Sequence, residues 1–253
     1  MSRETEGEDF DGVAFSVRQW TAWAPGLDAP EDWQRWARGE SAIGVKGEPR
    51  LGAMPAMLRR RAGRLGRLAL EAAYGICSAQ EVLPAVFCSR HGDTHRTYEM
   101  LEAMARGEEL SPTAFSLSVH NMVGALFSIA KQSLLPVTAI AGGAESATAG
   151  LLEACGLLAD GSPEVLLVMY DEPLPEAYAS FRDEREFSYA WAWRMAPPGT
   201  DTISLTWQTS VEPLPSALRG EPLGLEILRL YLSGANRGAM TCGRHVWHWI
   251  RHR

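Results

Sequence analysis

Ser89 and Cys88 are the side chains of this sequence that could serve as nucleophiles beside a histidine, with His91 close by and His120 further along the chain. A hydroxyl or thiol is a weak nucleophile until a base takes its proton, so such a pair would suit acyl transfer or thioester hydrolysis. Sequence distance does not say which of them meet, and His120, just before Asn121, equally suits a hydrogen-bonded interior position. His91 and His95 are spaced i and i+4, as two imidazoles sharing one metal would be, but Gly92 stands where a metalloprotease motif has glutamate, and no metal is expected. A further place for chemistry is the run Thr138, Ala139, Ile140, Ala141, Gly142 and Gly143, set between an apolar stretch and a helix. An elbow of that shape aims a side chain into a pocket where the helix dipole would stabilise a thiolate and backbone amides an oxyanion. Isoleucine can do neither.

The elements that must hold these residues follow from local pattern. Val13 to Trp23 mixes β-branched and aromatic residues and predicts a strand ending at Pro25 and Gly26. Asp28 to Trp36 predicts a short capped helix with Trp33 and Trp36 on one face. Ala53 to Cys77 reads as one longer helix, with leucines and alanines on its apolar side and arginines on the other. Leu83 to Cys88 is a buried strand followed by a polar loop from Ser89 to Asp93. A helix runs from Thr94 to Arg106 and stops at Gly107; Ser111 and Pro112 open the next segment; another helix spans Val119 to Lys131.

Val137 to Ile140 is the strand before the elbow and Ala144 to Leu158 the helix behind it. Val165 to Tyr170, fully apolar, has the pattern of a central parallel strand. Strands near Phe187 to Met195 and Ile203 to Gln208 precede a helix around Leu223 to Leu232, and the aromatic cluster from Phe187 to Trp193 with Trp207 reads as sheet packing. In the tail, alternation of Val246, His248 and Ile250 against Trp247 and Trp249 suits a strand, whereas His245, His248 and His252 would share a helix face. Either would be an amphipathic element packed on the body or on a partner. Strands alternating with helices imply an α/β sheet covered on both faces.

Composition narrows the classes. The 253 residues are 46% hydrophobic and 22% charged, as in an ordinary globular domain, and no apolar run approaches the ~18 residues of a membrane span. A net charge of −7 argues against general nucleic-acid binding, although Arg59, Arg60, Arg61, Arg64 and Arg67 form a dense basic stretch that could be a docking face. Cys77, Cys88, Cys155 and Cys242 are scattered without a CxxC pair, which suits buried thiols in a reducing compartment. The acidic start is unlike a signal peptide. Residues 1–12 are expected to be a disordered acidic N-terminus, residues 13–253 a single domain, and the location cytoplasmic.

Ser111 and Pro112, then Asn121, Gly124, Ser128 and Ile129, then Thr138 to Gly143, follow the order and spacing of the N-terminal half of β-ketoacyl synthases, whose last motif is Thr-Ala-Cys-Ala-Ser-Gly. Ile140 falls on the nucleophile. The sequence more closely resembles chain length factors, non-catalytic ketosynthase-like partners that also lack this cysteine. It is most similar to the short ketoacyl-synthase-like family of aryl polyene clusters, through Ser89 to Gly92, Ser111 to Asn121 and Val165 to Pro175.

The resemblance implies the N-terminal half of a thiolase-like fold, with a mostly parallel mixed sheet covered by helices on both faces. The His-Gly-Thr-Gly-Thr stretch and the later Gly-Phe-Gly-Gly turn of ketosynthases do not occur, and the chain ends before a second thiolase-type half, so condensation by this chain alone is not expected. It further implies a heterodimer with a full-length β-ketoacyl synthase and work on an acyl carrier protein in polyketide or fatty-acid-like biosynthesis, with no cofactor. Tyr98, Leu101 and Met104 become candidates to line a growing chain, with His120 and Asn121 beside them, although core packing is an equal reading of that spacing. Two other readings stay open: a stand-alone acyltransferase or hydrolase using Ser89 or Cys88 with His91 or His120, and a scaffold binding carrier protein through the arginine helix.

Overall fold

The computed structural model describes residues 12–78, 80–210 and 220–253, so the acidic start up to residue 11 lies outside the described residues. The elements are β1 (Gly12–Trp23), α1 (Pro30–Ala37), α2 (Ala56–Arg59), α3 (Arg64–Ile76), β2 (Ala85–Cys88), α4 (Thr94–Ala105), α5 (Pro112–Ser116), α6 (Met122–Lys131) and β3 (Val137–Ile140), then α7 (Ser146–Ala159), β4 (Val165–Asp171), β5 (Tyr189–Ala196), β6 (Thr202–Thr209), α8 (Leu223–Ser233), β7 (Arg237–Cys242) and β8 (His245–His252). Short 3-10 turns cover Gly143–Glu145 and Glu176–Phe181. The strands form one sheet in the order β3-β2-β4-β5-β1-β6-β8-β7.

The sheet is mixed, as expected, but its balance is the reverse of the expectation. Only the pairings of β2 with β3 and β4 are parallel; the other five are antiparallel. The connections decide this. Parallel neighbours need a crossover of a dozen or more residues, supplied here by α4 to α6 and by α7, whereas β7 turns into β8 across Gly243 and Arg244 alone. The apolar run of β4 reflects burial on both faces, with a parallel neighbour on one side and an antiparallel one on the other.

β5 shows how sequence sets the layers. Tyr189, Trp191 and Trp193 project to the face covered by α1, α7 and α8, while Ala190 and Ala192 face α3, α6 and the second core. Small residues under α3 let the helix approach closely through Ala69, Ala72 and Ala73, and the indoles fill the thicker layer opposite. Each fully buried aromatic there contributes roughly 2–3 kcal/mol. Trp33 and Trp36 share the buried face of α1, their rings edge to face at 5.2 Å, as their spacing predicts.

Other expectations shift. The single helix over Ala53–Cys77 is two, α2 and α3, broken before the N-cap at Gly63. A Cβ at Gly63 would lie 2.9 Å from the Asp93 carboxylate and 2.8 Å from the Arg96 guanidinium, so a larger residue there would push these two side-chain ends aside. The tail is the strand β8, with Trp247 and Trp249 in the core and the histidines not gathered on one face. Its partner β7, opening with Arg237 and Gly238, has no apolar alternation strong enough to announce itself.

Candidate functional site

The elbow sits at the exposed edge of the sheet. β3 is the terminal strand, all four of its residues are only partly buried, and Ala141, Gly142 and Gly143 are exposed. Gly143 takes a left-handed φ of 60°. Ser146 fixes the turn from the first position of α7: its Oγ accepts from the Gly142 N–H at 3.0 Å and donates to the Gly143 carbonyl at 2.7 Å. The Ile140 side chain packs against the core on the α7 face. Its carbonyl accepts two bonds, from the Ser89 N–H at 3.2 Å and from His120 Nε2 at 3.0 Å. His120 must carry its proton on Nε2 to donate there.

Two sequence-selected residues, Ser89 through its backbone N–H and His120 through its ring, therefore converge on the Ile140 carbonyl, yet they form no nucleophile–base pair. Ser89 is fully buried and its hydroxyl donates to Asp171 Oδ1 at 2.9 Å while accepting from the Gly92 N–H at 2.9 Å. The Arg90 N–H also donates to Asp171 Oδ1. Burial pushes the Asp171 carboxyl up to about 7, against the Ser89 and Arg90 hydrogen bonds, which lower it. Cys88 is fully buried and burial drives its thiol far above the ordinary value; Cys77 rises to about 11 and Cys155 to about 12 for the same reason. Such thiols are inert at neutral pH. His91 is exposed at the loop, where partial desolvation and the nearby Arg90 charge lower its pKa, and His95 Nε2 bonds the Pro173 carbonyl at 2.9 Å. No group of three potential metal-ligating side chains occurs among the described residues.

Exposed apolar side chains stand on α4, on α5, on the outer side of α6 and in the link before β3. Neither α4 nor α5 buries a single residue. Leu101 is 47% exposed, Met104 57% and Phe115 63%, and Val119, Ile129 and Leu135 are open as well; Leu134, just before β3, is completely exposed. The reading of Leu101 and Met104 as core residues is therefore wrong. Tyr98 is part-buried, its ring edge to face with Tyr178 at 5.8 Å and its hydroxyl donating to Glu102 at 2.7 Å. Asn121 is exposed where α6 begins. Phe115, Ile129, Leu134, Tyr178 and Phe181 were missed by sequence reasoning; the pair Leu134–Leu135, apolar in a link before a strand, is the signal that could have been used.

The basic stretch divides. Arg59 donates to the Leu51 carbonyl at 3.1 Å, and Arg64 bonds Glu48, Glu172 and Ser188 with its guanidinium, so both are held by their own chain. Arg67 is partly buried in α3; Arg60 and Arg61 are exposed. No helix among the described residues is long and apolar enough to cross a membrane.

Comparison with known proteins gives a consistent picture. Over 94% of its length the chain superposes, with TM-score 0.82 and 27% identity, on all of one chain from the structure of a ketosynthase (ApeO) in complex with its chain length factor (ApeC) from Xenorhabdus doucetiae. The ishigamide ketosynthase/chain length factor matches at TM-score 0.62 and 17% identity over 79% of this chain and 68% of that one. A β-ketoacyl synthase from Burkholderia phymatum STM815 matches at 0.57 and 11%, over 78% and 64%. These last two establish the thiolase-like ketosynthase fold alone. A search of curated proteins finds no match. The family described as "Beta-ketoacyl synthase, N-terminal domain" matches residues 33–250, and with most of its length so matched the chain belongs to that family.

Proposed function

We propose that this chain is a non-catalytic chain length factor that pairs with a full-length β-ketoacyl synthase and helps set the length of the acyl chain grown on a carrier protein. One observation carries the reading: no residue of α4, a 12-residue helix, or of the 5-residue α5 is fully buried, and Leu101, Met104 and Phe115 stand exposed on them. Isolated helices of that length are marginal in water, so a partner packed on them would add to the support their own chain gives. An exposed apolar face of this kind marks an interaction surface.

The partner would supply the nucleophile and the histidines for decarboxylative condensation of malonyl units. This chain would contribute Ile140 as an apolar plug at the elbow and Leu101 and Met104 as walls or caps for the product. Arg60 and Arg61, both exposed, are the members of the basic stretch suited to meet an acidic carrier protein. The hydrolase reading has little support, because Ser89 is buried and its proton is committed to Asp171.

The test is reconstitution with the full-length β-ketoacyl synthase of the same biosynthetic system, malonyl units and carrier protein. Leu101→Phe and Met104→Trp are expected to shorten the products while the complex persists. Unchanged products from both variants would count against the reading, and thioester hydrolysis by the isolated chain that Ser89→Ala abolishes would replace it.

A further inference from the structure

We propose that Tyr178 is a positioning residue: it sets the pose of α4, and so where Leu101 and Met104 meet a growing chain. The inference rests on the partner reading above. The first turn of α4 is well anchored, since Asp93 caps it by accepting from the Arg96 N–H at 3.1 Å, His95 bonds the Pro173 carbonyl, and Arg96 reaches the Leu117 carbonyl at 3.1 Å. Beyond that turn the helix buries no side chain, and its bond from Tyr98 to Glu102 is internal to α4. The ring of Tyr178, edge to face with Tyr98 at 5.8 Å and 77°, is the lateral brace next along the helix.

The brace stands on a fixed base. Tyr178 departs from helical geometry at φ −105°, ψ 18°, a kink in the 3-10 turn, while its N–H bonds the Pro175 carbonyl at 2.8 Å. Arg182 ties that turn to Glu176, to Glu186 and to the Leu174 carbonyl, and Glu186 in turn accepts from the Leu174 N–H. Phe181, 67% exposed, extends the rings to a third at 6.2 Å from Tyr178. Residues 173 to 181 thus grip α4 at two successive points, His95 and Tyr98, and the turn carrying Leu101 and Met104 follows from them.

The experiment compares Tyr178→Ala, Tyr178→Phe and Leu101→Phe in complex with the full-length β-ketoacyl synthase, reading product length and amide hydrogen exchange over residues 99 to 105. Tyr178→Ala is expected to speed exchange there by roughly threefold to tenfold, the effect of losing one edge-to-face ring pair, and to change the product distribution by at least one condensation unit. Tyr178→Phe, which keeps the ring, should restore both. If Leu101→Phe alters product length and Tyr178→Ala does not, the positioning role is overturned and the partner reading stands; if neither does, both fall. Should Tyr178→Ala prevent association, exchange in the isolated chain decides, unchanged protection over residues 99 to 105 overturning the role.

Discussion

Nδ1 of His245 lies 2.9 Å from both carboxylate oxygens of Glu145, joining residues 100 positions apart. Glu145 occupies the N-cap of α7 but makes no side-chain cap; its carboxylate turns instead to the first residue of β8. The β7–β8 hairpin is therefore fastened to the turn that follows Ile140. Gly243, at the hairpin tip with φ 57°, lets this contact close, since a Cβ there would lie 3.2 Å from Glu145 Oε1. The far edge of the chain in sequence thereby steadies the elbow.

His245→Ala should loosen that tie at modest cost. Both side chains keep partial contact with water, 33% and 23% exposed, so the pair contributes about 0.5–1 kcal/mol and its loss should lower Tm by a few degrees. Thermal unfolding of the purified chain measures it, and Glu145→Ala in the same background should add little, because the two changes remove one interaction.

Asp171 gives the fold a pH signature. Its folded pKa of about 7 lies above the ordinary 3.8, so between those values the folded chain binds more protons than the unfolded one. Stability from this group is therefore greatest at low pH and declines as pH rises from about 4 to about 7, on the order of 4 kcal/mol in all. Asp171→Asn keeps an acceptor for Ser89 and Arg90, and unfolding of this variant in denaturant at pH 5 and pH 8 should lack most of that decline.

Gly150 sits against Cys88, where a Cβ would come within 1.9 Å of Sγ. Gly150→Ala should destabilise the chain by about 3 kcal/mol through overpacking between α7 and β2. Removing the sulfur in Cys88→Ala with Gly150→Ala should recover much of the loss, and the denaturation midpoints of the single and double variants report it.

Ile140→Cys restores the side chain expected of a ketosynthase elbow. Ser89 gives its proton to Asp171, and His120 turns Nε2–H to the Ile140 carbonyl with its basic Nδ1 beside Gly92, so neither is set as a base against the new side chain. The isolated variant is expected to show no condensation of malonyl carrier protein, as read by mass spectrometry of the carrier-bound products.

Much of this was legible where the determinant is local. Trp33 and Trp36, the Ser111 cap, the Gly107 stop and the turn after Ile140 depend on neighbours a few residues away, and each stands where its spacing placed it. Strand direction was not legible, because an apolar run such as Val165–Tyr170 records burial and not the sense of its neighbours. Arg64 read as a docking cation because its acceptor Glu172 lies 108 positions away. The exposure of Leu101 and Met104 was hidden for a related reason: an apolar helix stripe left at the surface has the same periodicity as one packed in the core.

The exposed apolar residues of α4, α5 and α6 are proposed to form a ketosynthase interface. Co-expression with the full-length β-ketoacyl synthase of the same biosynthetic system, followed by light scattering on the purified material, tests it most directly. The expected result is a one-to-one complex that Leu134→Asp with Phe115→Asp disrupts while the isolated double variant stays folded. A chain that never associates, or a complex indifferent to both charges, would contradict it.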